Sequence, residues 1–173
     1  MSVDIKNIKK NLINRYPFFG SIIDSMEYIE TPNCTSNGVP TAGTNGKTIY
    51  YHPDIEKLSE KQQLFLFAHE ICHVAFEHKK RGEGKEPKIW NYATDAVINA
   101  HLKKDGLELI DNVVDLPWAI KYDAEEVYKK LLKKSKKNEE EFKNGGHDDH
   151  NLWNEDTLNN NDSPIDEVTK KFA

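Results

Sequence analysis

His69-Glu70-Ile71-Cys72-His73 is the stretch on which the reading of this chain turns. On a helix, residues four apart stack on one face, so both imidazoles can reach one metal ion. Glu70 sits one step round from His69, close enough to take a proton from a metal-activated water without being a ligand itself. Composition alone would produce such a match roughly once in forty chains like this one, so the flanking residues must decide. Ser59-x-x-Gln62 reads as a capping box, with apolar Leu58 just before it. No Gly or Pro occurs from Glu60 to Lys80, and Gly82 closes the run. The pattern predicts one helix from Glu60 to about Lys80. Leu64, Phe65, Leu66, Phe67, Ile71 and Val74 leave it few polar faces, so it should be buried. Imidazoles and a carboxylate buried there need hydrogen-bond partners or a metal.

Two imidazoles leave a catalytic zinc one protein ligand short, with water in the remaining position. The candidates for that ligand are Glu77, His78, Asp95, His101, His147 and His150. On an unbroken helix His78 lies about 140° round from His73, so it cannot share the ion unless the helix breaks. Glu77 is on the right face but a turn too far along the axis. Ile89 to Lys104 predicts a second helix, closed by Gly106. Along it Asn91, Asp95 and Asn99 recur every four residues, a polar stripe among Trp90, Ala93, Val97, Ile98 and Leu102. Asp95 is the best-placed third ligand, with Asn99 or Asn91 orienting an imidazole or the carboxylate through hydrogen bonds. His101, two residues from Asn99, points elsewhere.

The remaining segments are read more coarsely. Asp4 to Tyr16 predicts an amphipathic helix with Ile5, Ile8, Leu12 and Ile13 on one side. Phe18 to Glu30 alternates like a strand or strand pair, Asn33 to Asn45 is rich in turn formers, and Lys47 to His52 reads as a short strand. Asp123-x-x-Glu126 caps a further helix to about Lys134. From Ser135 the composition turns polar, which divides the chain into a domain of residues 1–134 and a polar, disordered tail or linker of residues 135–173. His147 and His150 fall in that tail as a solvated polar cluster. The net charge of -5 argues against nucleic acid as a partner, and no apolar run is long enough to span a membrane. The N-terminus lacks the apolar core of a signal peptide. Two cysteines make no disulfide framework, and Cys72 within the metal helix serves as a small apolar filler. A reducing cytoplasm is the expected setting.

Taken together, HExxH, a loop, and a helix carrying an acid with a polar residue four later resemble the gluzincin arrangement of thermolysin-type enzymes. The chain departs from it in Asp95, where Glu is usual, and in Asn99, where an acid is usual. A closer resemblance is to the zincin-like metallopeptidase domain found before von Willebrand factor A-like domains in bacterial and phage proteins. It rests on Gly46-Lys47-Thr48-Ile49-Tyr50-Tyr51-His52-Pro53, on Ala68-His69-Glu70 through His73 to His78 and Arg81, on Trp90-Asn91-Tyr92-Ala93-Thr94-Asp95 with Ile98-Asn99, and on Ala124-Glu125-Glu126-Val127-Tyr128.

That resemblance implies an α+β, zincin-like fold: an HExxH helix packed on a second ligand-bearing helix, with a small sheet. It implies a zinc-dependent peptidase with Zn²⁺ on His69, His73 and Asp95, Glu70 as general base, and a peptide or protein as substrate. The Lys47–His52 strand would be the sheet edge along which extended substrate pairs. Tyr50, Tyr51, Tyr92 and His101 are the candidates for an additional oxyanion donor. Related chains couple this domain to von Willebrand-like modules and sit near AAA-type ATPases, so the alternative is a catalytically silent binding module that acts through such protein partners. Retention of Glu70 favours the enzyme, because a purely structural zinc site has no use for a general base.

Overall fold

A computed structural model describes residues 3–111 and 113–143 of the 173-residue chain. The fold is α+β. Asp4 accepts a hydrogen bond from Asn7 N and so caps α1 (Ile5–Arg15), whose Ile8 and Leu12 are buried. Tyr16 then turns the chain through a short 3-10 segment, Pro17–Phe19, into α2 (Gly20–Ser25). The expected strand from Phe18 to Glu30 is therefore mostly helical. Only β1 (Glu27–Glu30) is extended, because Ile23 is needed inside the core beneath α1.

The turn-rich stretch that follows holds a two-stranded hairpin of β2 (Thr35–Ser36) and β3 (Val39–Pro40), then β4 (Ala42–Thr44). β5 (Thr48–Tyr51) is the centre of a three-stranded sheet, parallel to β1 and antiparallel to β4. This corrects the expectation that Lys47–His52 forms a substrate-pairing edge. Both sides of β5 are already hydrogen-bonded, and β1 and β4 are the outer strands.

Ser59 and Gln62 form the expected reciprocal capping box on α3 (Glu60–Ala75). Phe67 of α3 packs on Tyr51 and Tyr28 of the sheet, with ring centroids 5.6 and 6.3 Å apart. The helix does not run on to Lys80. Glu77 adopts a left-handed conformation (φ 51°) and α4 (His78–Arg81) starts in a new direction. An L-residue there costs about 1–2 kcal/mol, and tertiary contacts offset it. Arg81 Nη1 donates to the Phe76 carbonyl exposed by the break, and Trp90 Nε1 donates to the His78 carbonyl at 2.7 Å.

α5 (Pro87–Lys104) carries Pro in its first turn and is capped by Glu86, which accepts from Ile89 N. It lies between two cores. Ile98 and Leu102 join α1, α2, α3 and the sheet, whereas Ile89, Ala93, Ala96 and Ala100 pack against Ala119, Val127 and Leu131. Val127 and Leu131 belong to α6 (Ala124–Lys143), which Asp123 and Glu126 cap as the sequence indicates. This helix continues nine residues past Lys134. Among the described residues no helix is long and apolar enough to cross a membrane. His147, His150 and Trp153 lie outside the described residues.

Candidate metal centre

Asp95 meets the two histidines because α5 crosses α3 with its polar stripe between the two apolar faces just described. His69 Nε2, His73 Nε2 and Asp95 Oδ1 form a triangle with all three sides 3.0 Å. The three side chains are 15, 22 and 16% exposed, so the triangle is sheltered but open to solvent. Glu70 is buried beside it, and its carboxylate and the two imidazoles offer ligand atoms within 4.8 Å of one another.

The outer nitrogens of the two rings are also engaged. Asn99 is fully buried; its Nδ2 donates to the Val114 carbonyl at 2.9 Å, which leaves Oδ1 facing His69 Nδ1 at 2.7 Å. An amide at this position serves both partners. A carboxylate could accept from His69 but could not donate to Val114. Asn91 is half-buried on the same stripe, and no side-chain hydrogen bond joins it to the triangle among the described residues. His73 Nδ1 lies 3.2 Å from His78 Nδ1. His78 is therefore at the site after all, brought back by the helix break at Glu77, although against the far nitrogen of His73 rather than in the triangle. The sequence offered one signal for it, the requirement that the helix break.

His69 Nδ1 faces an acceptor oxygen, so Nδ1 carries the proton. In the neutral ring Nε2 is then a lone pair, set 3.0 Å from a carboxylate oxygen. Two acceptors at that distance need a positive charge on or between them. A proton can supply it: burial lowers the His69 pKa, but the hydrogen bond and charge of Asp95, with Glu70 and Asn99, outweigh burial and raise it to about 9. Burial likewise works against ionised Asp95, yet His69 and His73 hold its carboxyl well below the usual range. Burial pushes His73 down. A metal ion meets the same requirement with both rings neutral. Tetrahedral ligand atoms about 2.0–2.1 Å from zinc stand roughly 3.3–3.4 Å apart, and the observed spacing is within a few tenths of an ångström of that. The donor set fits a metal.

Among the candidates for a further donor, Tyr51 is buried against Phe67 and His101 is exposed. Tyr50 meets Asn45 at 3.4 Å. Tyr92, one turn before Asp95, has its hydroxyl pKa raised by burial and by the Asp95 charge, and it forms one wall of an open pocket with Leu116, Trp118 and Tyr122. Cys72 is a neutral thiol: burial, with the charges of Asp105 and Glu70, pushes it up to about 12.

A family model described as "Putative metallopeptidase domain" matches residues 1–164. The chain belongs to this family. The match takes in every element of the metallopeptidase domain described above and extends past the end of α6. No curated protein and no solved structure matches the chain.

Proposed function

We propose that this metallopeptidase-family chain is a zinc-dependent peptidase of zincin-like architecture, with His69, His73 and Asp95 as the metal ligands and Glu70 as the general base. The observation that carries the reading is the 3.0 Å triangle of two imidazole nitrogens and a carboxylate oxygen, with a buried glutamate beside it. Zinc bound there would act as a Lewis acid on the scissile carbonyl and make a water a competent nucleophile near neutral pH.

The chain's own residues supply the proton handling and the orientation. Glu70, outside the triangle, accepts the proton of the attacking water and returns it to the leaving amine nitrogen. Asn99 holds the His69 ring through Nδ1 and keeps its Nε2 lone pair directed at the triangle. The partial exposure of the three ligand side chains supports access for a peptide. The reading extends to a cytoplasmic setting, with which two buried cysteines not joined in a disulfide are consistent, and to a von Willebrand-like or AAA-type protein as partner.

Metal analysis of protein purified under zinc-replete conditions should give about one equivalent of zinc; a value near zero would sink the proposal. Glu70→Gln should retain that zinc and lose at least about 10²-fold in peptide turnover. A chain that binds zinc yet cleaves nothing in an unbiased peptide library, with or without Glu70, is a binding module instead.

A further inference from the structure

We infer that His78 is a positioning residue for the metal: its Nδ1 accepts a hydrogen bond from His73 Nδ1–H and thereby fixes the tautomer in which His73 Nε2 faces the ion. The inference rests on the reading of His73 as a ligand. For His73 to offer a lone pair at Nε2, the neutral ring must carry its proton on Nδ1. The atom 3.2 Å from that Nδ1 is His78 Nδ1. It can only be the acceptor, so the His78 proton lies on Nε2.

Several contacts hold the His78 ring in place. His78 is buried at 4% exposure, its ring lies edge-on to Trp90 at 6.0 Å, and Trp90 Nε1 donates to its carbonyl. Gly82 lies under the Trp90 ring so closely that a Cβ would stand 2.4 Å from Cδ1 and Nε1. The left-handed turn at Glu77 directs α4 back towards α3. Backbone strain of this kind persists where surrounding contacts over-determine it, and such places cluster at functional sites. His73 therefore receives from a short helix after its own what His69 receives from Asn99 on α5.

Two variants separate positioning from packing. His78→Phe keeps the ring volume and removes the acceptor. His78→Asn places an amide oxygen close to where Nδ1 stood. Zinc affinity, measured by chelator competition, should fall about 10–100-fold in His78→Phe and stay within about threefold of the parent in His78→Asn. The cobalt-loaded proteins should show an altered visible spectrum only for the Phe variant. Should the Phe variant not fold, long-range ¹H–¹⁵N spectra of the zinc-loaded parent give the same answer. They should show His73 protonated at Nδ1 and His78 protonated at Nε2 alone. Parental affinity in a folded His78→Phe, an Asn variant as weak as the Phe variant, or a proton on His78 Nδ1 would each overturn the inference. A parent that binds no zinc would overturn the ligand assignment and this inference with it.

Discussion

Asn99 does two jobs with one amide, and each atom has a fixed partner. Asn99→Ala would leave both the Val114 carbonyl and His69 Nδ1–H buried without partners, at a cost of about 1–3 kcal/mol for each group. Thermal denaturation should show the loss, and zinc affinity should drop about 10–100-fold as the His69 ring loses its orientation. Asn99→Asp is the sharper probe, because it keeps the acceptor for His69 while setting a carboxylate oxygen against the Val114 carbonyl. It should destabilise the fold with a smaller effect on metal affinity. Asp95→Ala acts on the triangle itself. It should abolish stoichiometric zinc binding and lower the melting temperature, since a ligand that joins α3 to α5 couples metal affinity to folding. Chelator should destabilise the parent and cause little further loss in that variant.

At the level of elements, the junction of α3 and α4 sets the geometry of one side of the site. Glu77 sits in a left-handed conformation that glycine adopts without penalty. Glu77→Gly should therefore be neutral or stabilising by up to about 1 kcal/mol, whereas Glu77→Val should destabilise by about 1–2 kcal/mol or more. Equal melting temperatures for the two would show that the junction is not strained. Gly82→Ala tests the other half of the same lock. Its Cβ would meet the ring of Trp90, which is 2% exposed and cannot move aside. The cost should be about 1–3 kcal/mol, accompanied by weaker zinc binding as His78 shifts with Trp90. The Arg81–Glu125 ion pair ties this junction to α6, so the second core supports the metal site from outside.

For the whole molecule, α5 is the shared wall of two cores, and that position brings its polar stripe to the two histidines of α3. Ile98 and Leu102 face one core, Ala93, Ala96 and Ala100 the other, and Asp95 and Asn99 occupy the arc between. The small alanines let the 3-10 segment at Pro117–Lys121 and α6 pack closely. We propose residues 1–134 as the folding unit, because Val127 and Leu131 anchor α6 and the last fully buried side chain of that helix among the described residues is Leu131. A chain ending at Lys134 should melt cooperatively within a few degrees of the parent and bind the same equivalent of zinc. Loss of the cooperative transition would show that residues beyond Lys134 belong to the domain.

The metal helix and its cap, the second helix and the alignment of Asn91, Asp95 and Asn99 along it were legible in the sequence, because helical periodicity and capping depend on residues within a turn or two of each other. That periodicity also sufficed to nominate Asp95 before any fold was known. The meeting of α3 and α5, the central place of β5, the helical course of Phe19 to Ser25 and the return of His78 were decided by tertiary structure. Each depends on contacts between distant parts of the chain. Nothing near Glu77 marks a break; Arg81 and Trp90 stabilise it from beyond the helix. Asn91 and Asn99 are equivalent in spacing from Asp95; what distinguishes them is that Asn99 is buried between His69 and the Val114 carbonyl, thirty and fifteen residues away. Local patterns specify which helices form, whereas the energies that choose between two left-handed or right-handed backbone states, or between two asparagines, come from groups that the fold alone brings within hydrogen-bonding distance.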